Sequence, residues 1–314
     1  MLNRRHIRIK VMQVIFALKG TDSNDHEAPV AFLTTSMAGM YDLYLLMLSL
    51  LVEVQKRAEN YLNIQQKQHL ATEAHKNPNK KFIHNSVLAH FQSNTDLSDL
   101  LERRKLNHWK LDIEYVDIIF RLILKSDLFK NYMNSTQSSF EEDSKFVQDV
   151  YKTIIAPNEK LYDYFEDNNI TWLDDLPIVN TVVLKMLRKI KPESSQNYGI
   201  LSLFKDMEDR QFGIDLLNKT RQNLNNYIRT IEDKTTNWDK DRIARLDLVL
   251  LQMALCEILE FPSIPIKVTI NEYLEIAKEY STPKSSLFIN GILDKLVKEY
   301  EAKGTLNKAG RGLM

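Results

Sequence analysis

Residues 264–295, IPIKVTINEYLEIAKEYSTPKSSLFINGILDK, contain two consecutive helical patterns, and each begins at a proline. Pro265 opens the first pattern, where a missing N–H costs little because the first N–H groups of a helix are unpaired. Apolar residues then recur every three or four positions from Ile266 to Ala277. Thr282 is the expected N-cap of the second helix, and Pro283 is its expected first residue. This stretch therefore predicts a pair of helices joined by a short polar turn.

The second of these helices has a glycine in its interior. Gly291 costs about 1 kcal/mol there relative to alanine. Such a cost is typical of a place where another backbone passes close by. We therefore expect tight helix packing around Asn290 and Gly291.

The rest of the chain also has a helical pattern. Its 314 residues include eight glycines and eight prolines, and the alternation of apolar and polar residues that is typical of strands is almost absent. Apolar residues make up 44% of the chain, which is enough for one large or two ordinary domains. The pattern predicts an all-α fold.

Cysteine usage and hydropathy exclude several classes of protein. The single cysteine, Cys256, excludes an intramolecular disulfide and any metal site built from several cysteines. The basic N-terminus is not followed by the apolar segment of a secretory signal. The most apolar run, Leu43–Val54, is too short to span a bilayer. We expect a soluble cytoplasmic protein that does not bind a membrane.

The first predicted helix, residues 4–19, begins with a cluster of cations. Acidic and basic residues balance over the whole chain, 42 against 42, but residues 1–20 contain no acid. Arg4, Arg5 and Arg8 oppose the dipole at a helix N-terminus, so helix stability does not explain them. The cluster is either a phosphate-binding patch, which we favour, or a solvated charged end.

A second basic segment, Arg103–Lys110, has four cations with Trp109 among them. Charge and stacking together are typical of single-stranded nucleic-acid binding. A solvated loop between two helices is the alternative, and we favour it.

An internal repeat is a further hypothesis. Residues 145–187 align without gaps on 211–253 at a spacing of 66, and Trp172 matches Trp238 between two predicted helices. A duplicated helical hairpin would explain the match. The first copy lacks the Arg-Leu-Asp signature at 245–247 of the second, so we expect it to be structural.

No catalytic constellation is present in the sequence. The seven histidines have neither an HExxH pattern nor the spacing of a Cys/His metal site, and there is no GxxxxGK[ST] loop. We therefore expect no enzymatic activity, no metal and no cofactor.

Four segments resemble the NusB family. The segments Ile264–Lys278 and Phe288–Lys295 look like the last two helices of that family. Arg245-Leu246-Asp247, with the residues that follow it, is similar to the preceding helix, and Arg4–Arg8 with Gln13–Phe16 is similar to the Arg-rich first helix. The match over about 206–298 is specific, because its segments occur in the right order and at the right distance.

The resemblance implies an all-helical fold of two small bundles and a role as a transcription antitermination factor. Family members bind the boxA element of ribosomal RNA leader transcripts together with NusE, a ribosomal protein, and act on RNA polymerase. The implied organisation has four parts: an Arg-rich first helix (1–20), a helical insertion with the possible repeat copy at 145–187 (21–205), a C-terminal helical core (206–301) and a disordered tail (302–314).

The resemblance also implies site residues. Carried over by position, the RNA-contacting candidates are Arg4, Arg5, Arg8, Lys284, Ser285 and Phe288. Asp247 occupies the position of a family acid on the helix expected near the protein partner. An aromatic ring beside a short polar turn suits an unpaired base, and core packing is the alternative for Phe288.

Three departures from the family pattern bear on RNA binding. Ile9 stands where the family often has Glu, and Lys284 stands where an acid is common. We expect both changes to make the basic surface more positive. The turn Ser281-Thr282-Pro283 replaces a turn that contains glycine.

Two other functions remain open at this point. The family's fold also precedes ribosomal RNA methyltransferase domains, so the chain would then assist RNA modification in trans. The third hypothesis is a protein-binding scaffold built on the insertion.

Overall fold

The described residues are helical, as predicted. A computed structural model describes residues 1–18, 27–67, 77–235 and 243–308, and no strand occurs among them. The helices are α1 (Arg4–Leu18), α2 (Glu27–Gln66), α3 (Ser86–Gln92), α4 (Thr95–Arg103), α5 (His108–Leu111), α6 (Ile113–Lys125), α7 (Asp127–Asn134), α8 (Phe140–Val150), a π-helical turn (Tyr151–Ile155), α9 (Glu159–Asn168), α10 (Trp172–Lys189), α11 (Met207–Gln222), α12 (Leu224–Lys234), α13 (Arg245–Glu260), α14 (Ile266–Tyr280) and α15 (Ser285–Ala302).

The chain folds into two units. One unit combines Met1–Met37 with Leu203–Met314, and the other is Ala38–Ser202. The predicted insertion, 21–205, begins 17 residues earlier than the second unit, because the start of α2 belongs with α1.

The second unit is built on α2. Two tryptophans donate their indole N–H groups to its backbone, Trp172 to the Gly39 carbonyl at 2.8 Å and Trp109 to the Leu46 carbonyl at 3.0 Å. By length and composition α2 would be able to cross a membrane, but 83% of its most apolar stretch is buried in the protein. Its apolar character is therefore that of a core helix.

The first unit is built on α13. Every residue from Val249 to Ile258 is buried, so this helix is enclosed on all sides. It packs against α1, α11, α12, α14 and α15. Full burial of each large aliphatic side chain on it contributes about 1.5–3 kcal/mol.

A glycine lets α1 approach α11. A Cβ atom added at Gly213 would lie 2.8 Å from Cγ2 of Ile7. A real Cβ atom does not come that close, and the methyl group of a β-branched side chain has little freedom to move away. The Arg-rich helix is thus seated on α11 at a point where only glycine fits.

Gly291 shows the opposite situation, and our prediction of tight packing there is wrong. It is exposed on α15, and among the described residues no heavy atom outside the neighbouring backbone of α15 lies within 4 Å of the position that its Cβ would take. Nothing in the described part of the fold requires glycine at this position.

Several helix boundaries differ from the prediction. The pattern at 113–134 forms two helices that meet at Ser126, whose hydroxyl accepts from the Phe129 N–H and caps α7. The pattern at 207–233 also divides, at Asn223. In both places the helical spacing of apolar residues continues across the point where one helix ends and the next begins. Periodicity alone therefore does not reveal the end of the helix.

The ends of the predicted hairpin also shift slightly. Pro265 is the N-cap of α14 rather than its first residue, and α15 begins at Ser285 rather than at Pro283. The prediction of a disordered tail at 302–314 stays a prediction, and residues 309–314 lie outside the described residues. Lys308 donates to the Glu257 and Phe261 carbonyls at 3.1 and 2.9 Å, where it caps the end of α13.

The internal repeat stays a prediction. Phe146 and its match Phe212 are both buried, as are Val183 and Val249. Trp238, on which the alignment largely depends, lies outside the described residues.

We predict that Gly213→Ala destabilises the protein. Overpacking costs about 1–3 kcal/mol, and the gain in helix propensity returns about 1 kcal/mol. Urea denaturation should show a net loss of about 1 kcal/mol. Gly291→Ala is the matched control, since the same change in open space should raise the unfolding midpoint. An unchanged midpoint for Gly213→Ala would mean that the Ile7 side chain moves aside without lowering the free energy of unfolding.

Candidate nucleic-acid interface

Arg8 lies inside the first unit. Its guanidinium donates to both carboxylate oxygens of Glu257, at 2.8 and 2.7 Å, and the two side chains are 3% and 0% exposed. Thr269 and Tyr273 also donate to the Glu257 carboxylate, at 2.8 and 3.3 Å. Burial raises the pKa of the Tyr273 hydroxyl well above its usual range, so it stays a donor. Arg8 therefore has no surface to offer a phosphate, and the structure removes it from the predicted RNA contacts.

Arg5 is tied to the next helix but remains accessible. It donates to both carboxylate oxygens of Glu272 on α14, at 2.9 and 2.7 Å, and its side chain is 38% exposed. The hydrogen bond from Arg5 lowers the pKa of Glu272. Glu272 also lies 3.7 Å from Arg8, so one carboxylate links the buried arginine to the exposed one.

Arg4 is the most exposed of the three arginines. It donates to Asp209 at 2.9 Å, and its side chain is 41% exposed. The guanidinium groups of Arg4 and Arg8 lie 5.2 and 5.1 Å from the ring of Phe212. Cation–π attraction to this ring therefore helps to hold both cations.

A cleft of about 630 Å³ opens beside these residues. Asn3, Arg4, Arg5, His6 and a small part of Arg8 line it, together with the loop before α14, the first turn of that helix and the carboxylate-bearing Glu272. It lies at the N-terminus of α1, where Asn3 caps the His6 N–H at 3.0 Å. Each guanidinium has five N–H donors, and Arg4 gives one and Arg5 two of them to carboxylates. The remaining donors and the helix dipole suit a phosphate group.

A second cluster surrounds the turn before α15. Asp247, in the first turn of α13, accepts from the hydroxyls of Ser281 and Ser285 at 2.6 and 2.7 Å. Asp247 and Ser285 are 4% and 1% exposed. Neither side chain has surface for a ligand, so the predicted roles in partner and RNA contact do not fit them. They fix the turn and the start of α15 against α13.

Lys284 and Phe288 remain accessible at this turn. Lys284 is the exposed N-cap of α15, and it forms no ion pair in the described part of the chain. Phe288, one turn later, is half-buried. A cation and a ring therefore share the N-terminal end of α15.

The two groups of accessible residues lie at opposite ends of α1. Arg8 meets Glu257, whereas Arg245 donates to the Phe16 carbonyl at 3.1 Å, so α1 and α13 run antiparallel. Asp247 and Glu257 are ten positions apart, which corresponds to about 15 Å along the helix. A single ligand group cannot touch both ends, but an extended strand can.

The basic segment Arg103–Lys110 does not form a stacking surface. Trp109 is 3% exposed, and its indole N–H donates to the Leu46 carbonyl on α2. Arg104 is paired with Asp42. Among the described residues, no group of three or more His, Cys, Asp or Glu side chains is placed to hold a metal ion.

Comparison with known proteins gives the family. The sequence model of the NusB family matches residues 179–298. A transcription antitermination protein NusB from Salinibacter ruber is 41% identical over 112 residues, which cover 36% of this chain and 70% of that protein. This chain belongs to the NusB family.

Two further NusB proteins are similar over a comparable length. The protein from Chloroherpeton thalassium is 42% identical over 109 residues, 35% of this chain and 52% of that protein. The protein from Finegoldia magna is 44% identical over 93 residues, 30% of this chain and 68% of that protein. No solved structure matches the chain.

The region matched by the NusB family covers only part of the site. It includes α11 to α14 and most of α15, but not α1. Ile9, where the NusB family often has Glu, is buried at 4% exposure, so it does not make the surface more positive as we expected. Of the two departures that change charge, Lys284 alone lies on the surface.

The acids that pair with the arginines were not predicted from the sequence. Asp209, Glu257 and Glu272 lie on three helices, and each is more than 200 positions away in the chain from the arginine it pairs with. Glu257 could have been recognised as paired, because a single acid in the apolar run LLQMALCEIL predicts a buried cationic partner. The sequence does not say which cation that partner is.

We predict that Arg8→Met strongly destabilises this NusB-family chain. The change leaves the Glu257 carboxylate buried without a counter-charge, which costs about 3–5 kcal/mol. Arg8→Met combined with Glu257→Gln should recover much of the loss, because the amide still accepts from Thr269 and Tyr273. Urea denaturation measures both. Equal losses in the single and double variants would assign the cost to packing rather than to charge.

We also predict a pH dependence from Glu272. Because Arg5 lowers its pKa in the folded state, Glu272 stabilises the fold fully above its ordinary pKa of 4.5, and this contribution is lost as the pH falls through the lowered value. The difference in stability between the natural chain and Glu272→Gln should therefore be constant from neutral pH to about pH 5 and shrink below it.

A double-mutant cycle provides the control. In an Arg5→Met background, Glu272→Gln should have little effect on the acid dependence of unfolding. An equal effect in both backgrounds would show that another group lowers the pKa of Glu272.

Proposed function

We propose that this chain binds single-stranded RNA and acts in transcription antitermination. The contacts are phosphates at Arg4 and Arg5 in the cleft, a phosphate at Lys284, and a base against the half-buried ring of Phe288. The observation that carries the proposal is the cleft at the N-terminus of α1, where two partly exposed arginines keep N–H donors that form no hydrogen bond within the described residues. The names of the similar proteins support the process.

The other predicted residues take supporting roles in this proposal. Arg8 holds Glu257 and, through Glu272, the position of Arg5. Asp247 and Ser285 hold the turn that presents Lys284. Their loss would weaken RNA binding by disturbing the contacting residues.

The proposed ligand and partners are those of the family. The RNA is a boxA-type element of a ribosomal RNA leader transcript, the protein partner is NusE, and the complex acts on RNA polymerase in the cytoplasm. The chain itself has no enzymatic role in the proposal. The helical insertion, which the sequence comparison places largely outside the matched region, remains without an assigned role.

We predict that Arg4→Ala combined with Arg5→Ala weakens RNA binding and its dependence on salt. Each phosphate contact of an unpaired cation accounts for about 0.7 in the slope of log binding constant against log salt concentration. Because Arg4 and Arg5 are already paired with acids, their loss should lower the slope by less than this for each contact. Titration of a boxA-type single strand at several salt concentrations, with and without NusE, measures the slope.

A matched control removes two cations elsewhere. Lys145 and Lys160 in the second unit are 80% and 69% exposed at their side chains and form only long ion pairs. Their double alanine variant should keep the slope of the natural chain. If the two double variants lose affinity equally, the effect is one of net charge and the cleft is not the site.

A further inference from the structure

Gly291 lowers the stability of α15, and no packing contact in the described part of the chain requires a glycine there. It lies within the helix, is exposed, and faces open space where a Cβ atom would be. Alanine would stabilise an exposed helix interior by about 1 kcal/mol. A glycine in such a place suits an external molecule that approaches the helix backbone.

Lysines lie along the same face of α15. With 3.6 residues per turn, Lys284, Lys295 and Lys298 all point within about 40° of the direction of Gly291. All three are exposed, and none forms an ion pair within the described residues. From Lys284 to Lys298 the row extends about 21 Å.

Apolar and acidic residues flank this row, which we call the lysine row. Leu287 is 77% exposed and lies one turn before Gly291, beside Phe288. Asp294 is the acid at the edge of the row, and its carboxylate accepts from the Asn290 amide at 3.2 Å. The row is thus mainly cationic, with apolar contact area at its N-terminal half.

We propose that the RNA strand runs along α15 and crosses it at Gly291, where its sugar–phosphate backbone touches the helix backbone. The inference rests on the proposed function and extends it beyond the turn at Lys284. Three cations in line fit the regular charges of a polyanion better than they fit a protein helix, which would have to supply acids at the same spacing. Leu287 then lies against a sugar or base, and the absent Cβ leaves room for the strand.

The test separates stability from binding at one residue. Gly291→Ala should raise the urea unfolding midpoint and yet lower the affinity for a boxA-type single strand. Gly291→Leu should lower the affinity further, by about tenfold or more, which is a loss of about 1.4 kcal/mol of binding free energy. A glycine that matters only for folding would not change stability and binding in opposite directions.

Two controls complete the experiment. Asn225→Leu adds the same side chain at an exposed position of α12 and should leave RNA binding unchanged. Lys295→Ala combined with Lys298→Ala should lower the salt slope by about 1.4, or about 0.7 for each phosphate. Neither change touches Arg4 or Arg5.

The outcomes distinguish this inference from the function on which it rests. If the natural chain binds RNA and the Gly291 variants bind equally well, the crossing at Gly291 is wrong and the proposed function stands. If the natural chain does not bind RNA with a salt-dependent affinity, both the proposed function and the path of the strand along α15 are wrong. If the Gly291 variants bind normally but the lysine variant loses slope, the strand follows the row without close approach at Gly291.

Discussion

The buried ion pair between Arg8 and Glu257 determines how the first unit is assembled. It joins residues separated by 249 positions in the chain, and both charges are removed from water. Such a pair is tolerated only when further hydrogen bonds satisfy it, and Thr269 and Tyr273 supply them. The Arg-rich helix is therefore an integral part of the C-terminal core, although residues 38–202 lie between them in the chain.

The same pair explains why three similar arginines have different roles. Arg8, on the inner face of α1, forms a buried ion pair with Glu257. Arg4 and Arg5 pair with carboxylates at the edge of the core and stay accessible. Sequence analysis finds the cluster and its unfavourable position on the helix dipole, but it counts no acid in the first 20 residues. The acids come from distant helices, and only the tertiary fold brings them to α1.

The sequence patterns predicted the features that interactions within a single helix determine. Apolar periodicity and the two prolines gave α14 and α15 to within two residues, because those signals act within one helix. The breaks at Ser126 and Asn223 were not predicted, because the helical spacing of apolar residues continues through both of them. Gly213 and Gly291 have the same chemistry and the same helical setting. One is required by Ile7 and the other meets open space, and no property of the sequence distinguishes them.

The paired acids also shape how the proposed interface would bind RNA. A guanidinium held by a carboxylate loses less side-chain freedom when it meets a phosphate, which favours binding, but its charge is already partly neutralised. Arg4 and Arg5 would then contribute mainly geometry. The larger part of the counterion release would come from cations without an acid partner in the described chain, which are Lys284 and the other lysines on the same face of α15. The arginine cleft would thus position the strand while α15 supplies the attraction.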